Sequence, residues 1–361
     1  MQTDLSRINR EQFYVNPGIF CGVPAVLVTP KQIGVKWTKE TVIYRSSIWT
    51  LDGKLLSAGK KKFVNWGETP DLFPPPLSLK NCYIPEKIDG SLLITDFHND
   101  QLNFRTRGTF SHITLDNAAD FDEIRRKYPQ IENFHRINPG YSLLMEITSP
   151  NNQIVINYGP DVDIVLIGCV KKEDYTYLTQ KHLDLIGADY GFKRPARYSF
   201  DSVAQMIEMV QAFEGKEGVC IYYHNDQDIL KCKALKYLIL HRMKSELSGM
   251  TNIVDMYIAQ GCPDFGTLYA YVVDTFDFEL AEQCKGSLSR ICDAMKEVRR
   301  ILAHMATFVA ERLQGLKRSE QAKIVLEAYG DTNRAGYVFK LLDGKEIDGD
   351  GIKKLLLQVL K

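Results

Sequence analysis

No apolar run in the sequence approaches the roughly 20 residues that a membrane helix needs, so a membrane protein is not expected. The opening stretch MQTDLSRINREQFY has no apolar core of a secretory signal. Cysteines stand at 21, 82, 169, 220, 232, 262, 284 and 292, and none forms a C-x-x-C pair. That spacing speaks against a disulfide framework or zinc site and for a reducing cytosol. Net charge is missing too: 45 basic residues face 45 acidic ones. A broad, unspecific nucleic-acid coat is thereby excluded, while a local basic groove is not. Lys60-Lys61-Lys62, Arg105/Arg107, Lys171-Lys172 and Lys193-Arg194-Arg197 are the runs from which one could be built, although each alone reads as a solvated surface. No G-x-x-x-x-G-K followed by Ser or Thr occurs, and Gly59-Lys60-Lys61 lacks both the spacing and the hydroxyl of a phosphate loop. Asp343–Gly351 superficially suggests a calcium loop, but its closing glutamate is absent, so turns are expected. There is no internal repeat and no low-complexity segment.

What is present suffices for two domains in 361 residues. Up to about residue 240 the texture is that of strands with short breaks. Leu92–Phe97 and Leu102–Arg107 flank His98-Asn99-Asp100 as a hairpin, and Tyr141–Thr148, Ile154–Tyr158 and Ile164–Val170 are further strand-like runs. Ser202–Phe213 keeps helical spacing. Beyond residue 242 the pattern turns helical, over Ser287–Leu313, Ser319–Ala328 and Gly351–Leu360. The expected fold class is α+β: an antiparallel-sheet domain over 1–242 and an all-α domain over 243–361.

Lys87-Ile88-Asp89-Gly90 is the sharpest local feature, though a four-residue K-x-D-G recurs by chance. Downstream, Glu217-Gly218-Val219 and Lys231-Cys232-Lys233 flank a polar turn at His224–Asp228. Pairing Tyr223 with Ile229 sets Ile221 against Lys231 and Val219 against Lys233. Glu217, Lys231 and Lys233 then share a face with Val219, Ile221 and Tyr223, which resembles a half-buried pocket wall. Arg105 and Arg107 share a face of their own, and Gly108 after them permits close approach of a phosphate. Glu146 is a lone carboxylate in Leu143-Leu144-Met145-Glu146-Ile147. A lysine attacking the α-phosphate of a nucleotide requires such an inventory. Free lysine titrates near 10.4 and is inert at pH 7, so neighbouring cations (Lys231, Lys233) or a divalent ion would have to lower its pKa. Further cations would meet the phosphates, and carboxylates would order the metal's water and the ribose hydroxyls.

These residues resemble the covalent nucleotidyltransferase superfamily of ligases and capping enzymes, and within it the RNA ligase 1 family known from bacteriophages. The motifs stand here as EKIDGSL, LNFRTRGT, SLLMEITSPNNQIV, KEGVCIYY and KCK, preceded by the lead-in IYRSSIWTLDGKLLSAGKKKFVNWGE. The similarity is ordered from about Thr41 to Lys233, and five motifs in order are far more specific than K-x-D-G alone. The resemblance implies an antiparallel-sheet, ATP-grasp-like ligase domain. Lys87 would be the adenylated nucleophile and Asp89 its support, with Glu86 beside it at the nucleotide. Glu146 would contact the ribose, and Glu217 would organise metal water or the lysine. Lys231 and Lys233 would hold the α-phosphate, and Arg45 and Lys62 the other phosphates of ATP. Glu146 and Glu217 would face Mg²⁺ (or Mn²⁺) through water. Arg105 and Arg107 would meet RNA phosphates, although the family often places lysines there.

The implied reaction joins a 5′-phosphate to a 3′-hydroxyl of RNA through a lysyl-AMP and an RNA-adenylate. Single-stranded RNA ends are the expected partners, with a tRNA anticodon loop and tRNA repair as the candidate setting, because the helical domain also resembles one that biases the family toward tRNA. A separate end-healing kinase/phosphatase is expected, given the missing phosphate loop. A cytoplasmic monomer is expected, in the host cytoplasm if the source is viral. DNA ligases and GTP-dependent capping guanylyltransferases would share Lys87, Glu217, Lys231 and Lys233, but carry a small β-barrel after the fifth motif, where this chain reads as helices. A non-catalytic RNA-binding repair scaffold is the alternative of another class, against which the intact Lys87, Asp89, Lys231 and Lys233 speak. His98 and His112 read as structural.

Overall fold

Alternation of apolar and polar residues builds the first part of the chain into antiparallel sheets. The computed structural model describes residues 1–32, 34–248, 250–275, 278–330 and 334–360. It divides into two compact units, Met1–Ile239 and Leu240–Lys361.

The first unit opens with a four-stranded meander: β1 (Phe13–Phe20), β2 (Val23–Pro30), β3 (Ser47–Thr50) and β4 (Leu55–Ala58). Two short strands follow, β5 (Val64–Asn65) and β6 (Ile84–Pro85), then the hairpin β7 (Ser91–His98) and β8 (Gln101–Arg105). Its turn is tighter than the sequence suggests. His98 pairs with Gln101, leaving Asn99-Asp100 as a two-residue turn with φ of 49° and 57°, the left-handed pair that matches strand twist. Helices α1 (Ala118–Lys127) and α2 (Gln130–Ile137) precede β9 (Tyr141–Thr148), β10 (Asp163–Lys171) and β11 (Thr176–Tyr177). Strands 11-10-9-7-8 form the central five-stranded sheet. The sequence reading missed α1 and α2, whose Phe121, Ile124, Ile131 and Phe134 are buried with Leu93, Leu143 and Met145 of the sheet.

The expected strand Ile154–Tyr158 is an irregular segment instead. The N–H groups of Val155 and Ile156 donate to one oxygen of Asp89 at 2.7 and 2.8 Å rather than to a neighbouring strand. Helix α3 (Gln180–Tyr190), also missed, ends on Gly191 at φ 70°. After β12 (Arg197–Tyr198) comes α4 (Val203–Gln211), where the sequence placed a helix; Ser202 caps it by accepting from the Gln205 N–H at 3.1 Å. The hairpin β13 (Gly218–Tyr223) and β14 (Asp228–Lys233) pairs in parallel with β5 through β14.

The chain leaves the first unit within α5 (Leu235–Ser248). The second unit continues as α6 (Met250–Ala259), α7 (Phe265–Thr275), α8 (Phe278–Arg312), α9 (Arg318–Tyr329), α10 (Ala335–Leu342) and α11 (Gly349–Val359). Helical spacing buries Leu288, Ile291 and Val298 of α8 with Tyr257 of α6, Leu268 of α7 and Leu355 of α11. The Asp343–Gly351 stretch is turn and cap: Asp348 accepts from the Gly351 N–H at 2.8 Å. Among the described residues no helix is long and apolar enough to cross a membrane.

Candidate active site

Lys87 is held where the central sheet and the β13–β14–β5 sheet come together. Its own N–H donates to the Gly218 carbonyl at 2.8 Å, and the Glu86 N–H donates to Ala196 at 2.7 Å. Gly90 lets the chain enter β7 against β9, since a Cβ there would lie 2.4 Å from the Ile147 carbonyl oxygen. Beneath the loop, Asp89 is buried. Besides the two N–H groups above, its carboxylate accepts the Tyr237 hydroxyl at 2.7 Å. Asp89 is therefore a tether for three separate segments.

Lys87 Nζ stands 2.6 Å from Glu217 Oε2, and Lys233 Nζ stands 2.8 Å from Glu217 Oε1. One nearly buried carboxylate thus bridges two ammonium groups. The sequence reading put Glu217, Lys231 and Lys233 on one face through a register with Tyr223 opposite Ile229. The structure has a four-residue loop, so Tyr223 pairs with Asp228 and Cys220 with Lys231. Lys231 and Lys233 accordingly share their face with Cys220 and Tyr222, not with Val219, Ile221 and Tyr223. Glu217 still reaches Lys233 because Gly218, at φ 144°, interrupts the alternation. A side chain at Gly218 would also collide with the Cys232 carbonyl oxygen, 2.1 Å from an ideal Cβ.

The sequence reading required cations to depress the pKa of Lys87. The balance here runs the other way: burial alone would lower it, but Glu217 and Glu146 outweigh burial and hold the ammonium form above the ordinary lysine range. Lys231 is instead depressed, brought down to about 8 by burial and by Lys233, Lys87, Lys62 and Arg45. Burial raises the Glu146 carboxyl, Lys87, Lys60 and Arg45 oppose that rise, and Glu217 adds to it.

Before Lys87 opens a cleft of about 310 Å³, in the size range of small-molecule sites. Arg45, Lys60, Glu86, Arg107 and Glu146 line it with Lys87, together with Phe63, Ile167 and Tyr222. Ile167 is delivered by a β-bulge between Leu166 and Gly168. The Phe63 ring carries three cations: Lys60 Nζ at 4.7 Å, the Arg45 guanidinium at 5.0 Å and Lys231 Nζ at 5.3 Å from its centroid. Glu86 accepts from the Tyr198 hydroxyl at 2.9 Å and pairs with Lys216 at 3.1 Å.

Two expected site residues lie elsewhere. Strand β8 ends at Arg105, so Arg105 and Arg107 do not share a face. Arg105 is wholly buried, its guanidinium donating to Ser57 Oγ and Ser46 Oγ, each at 2.7 Å. Its buried guanidinium presents no surface to an RNA phosphate, whereas Arg107 is exposed at the cleft. Lys62 is absent from the cleft wall and lines a neighbouring cavity. Conversely, sequence reasoning named Lys60 only within a basic run that by itself reads as solvated surface, whereas Lys60 is buried, lines the cleft and donates to the Tyr222 hydroxyl at 3.1 Å. Its signal was the apolar context on both sides, Leu55-Leu56 and Phe63-Val64, unusual for a solvated run. The sequence does not single out Phe63, Tyr222 or Tyr237. His112 is structural, held by the Phe104 carbonyl at 3.2 Å and Asp122 at 3.1 Å.

No protein-family model matches the chain. A protein of Autographa californica nuclear polyhedrosis virus, named provisionally as a bifunctional polynucleotide kinase/RNA ligase, is 25% identical over 208 residues. The match takes in 54% of this chain but only 29% of that relative. Among solved structures, an archaeal ATP-dependent RNA ligase covers 92% of this chain and 93% of its own at 10% identity and TM-score 0.48. A mutant Naegleria gruberi RNA ligase with ATP and Mn covers 67% and 84% at 15% identity and TM-score 0.45. At TM-scores below 0.5 these likenesses decide nothing by themselves.

Proposed function

We propose that the chain is an ATP-dependent RNA ligase of the RNA ligase 1 type, which carries AMP on Lys87 and joins a 5′-phosphate to a 3′-hydroxyl. The carrying observation is Lys87 Nζ at the edge of a cation-lined cleft, 2.6 Å from a carboxylate bridged to a second lysine. The ordered motifs and the RNA-ligase part of the viral relative's name support the same reading.

Lys87 starts as an ammonium, and Glu217 is the contacting group that can take its proton before attack. The Lys87 nitrogen then bonds to the α-phosphorus of ATP, the bond to the β-phosphate oxygen breaks, and pyrophosphate leaves. Lys231, Lys233 and Lys60 face the charge that builds on the α-phosphate, with Arg45 toward the β- and γ-phosphates and Lys62 acting on them only through its charge, from the neighbouring cavity. In the second step an oxygen of the RNA 5′-phosphate attacks that phosphorus, the phosphorus–nitrogen bond breaks, and the Lys87 nitrogen takes a proton as it leaves as an amine, with Glu217 the contacting donor. In the third the 3′-hydroxyl loses its proton to solvent as its oxygen attacks the 5′-phosphorus, and AMP leaves. In this reading Glu146 contacts the ribose, Glu86 the nucleotide and Arg107 an RNA phosphate, while Asp89 positions the Lys87 loop.

Among the described residues no three metal-ligating side chains cluster. Glu146 and Glu217 fit Mg²⁺ or Mn²⁺ held through water and by substrate phosphates, the usual mode for Mg²⁺. Such an ion would neutralise phosphate charge during transfer. The described residues beyond Lys233 form helices, not the β-barrel expected of a DNA ligase or guanylyltransferase. The helical unit would bias the enzyme toward structured RNA such as a tRNA anticodon loop. Ends would be healed by a kinase/phosphatase outside these residues, with the ligase acting as a cytoplasmic monomer.

Intact mass after incubation with ATP and Mg²⁺ tests the reading. The parent should gain one AMP and Lys87→Ala none. No gain in the folded parent with ATP or GTP would sink it, and a gain from GTP alone would move the chain to the capping class.

A further inference from the structure

Beside the nucleotide cleft lies a second cavity of about 280 Å³. Its polar rim comes from Lys39, Lys61 and Lys62 on one side and the β13–β14 turn on the other; its floor is apolar, with Leu72, Phe73 and Ile229 among its residues. Three features point to an anionic ligand. First, among the described residues none of Lys39, Lys61 and Lys62 forms an ion pair. Lys61 Nζ instead sits 5.0 Å from the Tyr177 ring centroid, and Lys62 Nζ 5.7 Å from that of Trp37. Second, Asp228 is the one carboxylate on the rim, and it is already held by His224 Nδ1 at 2.7 Å. Third, burial is the leading influence on both Lys61 and Lys62 and lowers their pKa; Asp228 and Asp174 near Lys61, and Glu68 near Lys62, act the other way without overcoming it. A bound anion would supply a closer counter-ion.

The cavity also adjoins the chemistry. Lys60 lines the nucleotide cleft, while Lys61 and Lys62, next in the chain, line the second cavity. Lys62 feels the charge of Glu68 first and then those of Arg45 and Arg107, both on the cleft wall, and Lys231 feels that of Lys62. Lys62 thus joins the cations of the cleft wall to the cavity that it lines with Lys61 and Lys39. A free pyrophosphate would use the cations but has no surface for the apolar floor. A nucleotide of a single strand, with phosphate on one side and sugar and base on the other, uses both.

Resting on the ligase reading above, we propose that this second cavity is a subsite for the RNA strand whose end is joined at Lys87, with Lys39 and Lys61 taking backbone phosphates. The test compares the full chain with a Lys39→Ser/Lys61→Ser variant. Intact mass with ATP and Mg²⁺ comes first, and both proteins should gain AMP. Binding of a 5′-phosphorylated single-stranded RNA to the AMP-loaded proteins is then followed by fluorescence anisotropy over a range of salt. The variant should bind more weakly, and its slope of log Kobs against log salt should flatten by about 1.4, or about 0.7 per lost phosphate contact. Lys61→Arg should restore most of the Lys61 share. Where the double variant does not fold, Lys61→Ser alone is read the same way, with a flattening of about 0.7. An unchanged slope in a variant that still takes AMP overturns the subsite and leaves the ligase reading intact. A folded variant with impaired AMP loading, or impaired release of AMP by inorganic pyrophosphate, would assign the cavity to the nucleotide's phosphates and overturn the proposal. Failure of the parent to take AMP overturns both readings.

Discussion

Replacing Glu217 with glutamine removes one negative charge that two ammonium groups share. Glu217 is 3% exposed, and Lys87 and Lys233 are 18% and 17% exposed, so little water is at hand to compensate. Breaking a buried pair from one side costs about 3–5 kcal/mol, because a charge is left without its partner. Two charge-assisted hydrogen bonds at about 1.5–3 kcal/mol each give the same range. The loss is largest while both lysines stay protonated. In the parent, Lys87 has a raised pKa, so its contribution is complete below the unfolded value near 10.4 and is lost only above that value. In Glu217→Gln, burial, already the largest single influence on Lys87, loses its chief opponent and keeps Glu146 as the main one, so the folded pKa should fall below the unfolded one. The variant should then gain stability as pH rises toward 10.4, while the parent's pair contributes a constant amount. Lys231, already depressed to about 8, adds an upward slope to both proteins and largely cancels in the difference. The assay is urea unfolding by tryptophan fluorescence at pH 7 and pH 9.5. All three tryptophans, Trp37, Trp49 and Trp66, lie in the first unit, so the signal reports on that unit alone. A deficit below about 1 kcal/mol, or one equally large at both pH values, would refute the reasoning.

Asp89→Asn leaves one acceptor oxygen where two now serve the Val155 and Ile156 N–H groups and the Tyr237 hydroxyl. It should cost about 1–3 kcal/mol in urea unfolding and speed proteolysis within 153–158. Gly218→Ala forces a Cβ to 2.1 Å from the Cys232 carbonyl oxygen at φ 144°. It should destabilise the first unit by at least about 1–3 kcal/mol and slow AMP loading by moving Glu217; normal loading in a stable variant would show that the backbone there is not what aims Glu217. Lys231, near half protonated at pH 8, should be driven to the ammonium form by a phosphate bound beside it. Calorimetry of a non-hydrolysable ATP analogue in buffers of different ionisation enthalpy should show uptake of about half a proton at pH 8 and almost none at pH 6. Equal uptake at both would place the titration on another group.

The covalent order of the chain determined the chemistry on offer: a K-x-D-G lysine, a later Glu-Gly-Val, and a Lys-Cys-Lys. It also determined the change from period-two to helical spacing near residue 240, because side-chain periodicity is a local property. Tertiary structure decided who faces whom. Lys87 and Glu217 meet across 130 residues of sequence. The face shared by Lys231 and Lys233 depended on a one-residue choice of hairpin register, set by three consecutive left-handed residues, His224, Asn225 and Asp226, which an alternation argument does not contain. Arg105 and Arg107 differ by one strand terminus, which sends one guanidinium into the core and the other to the cleft. Lys60 became a site residue through burial beneath Phe63 and Tyr222, and Asp89 became a tether through amides more than 60 positions away. The protonation state of Lys87 followed the same rule. Burial and the separation of charges set it, and both exist only once the chain has folded.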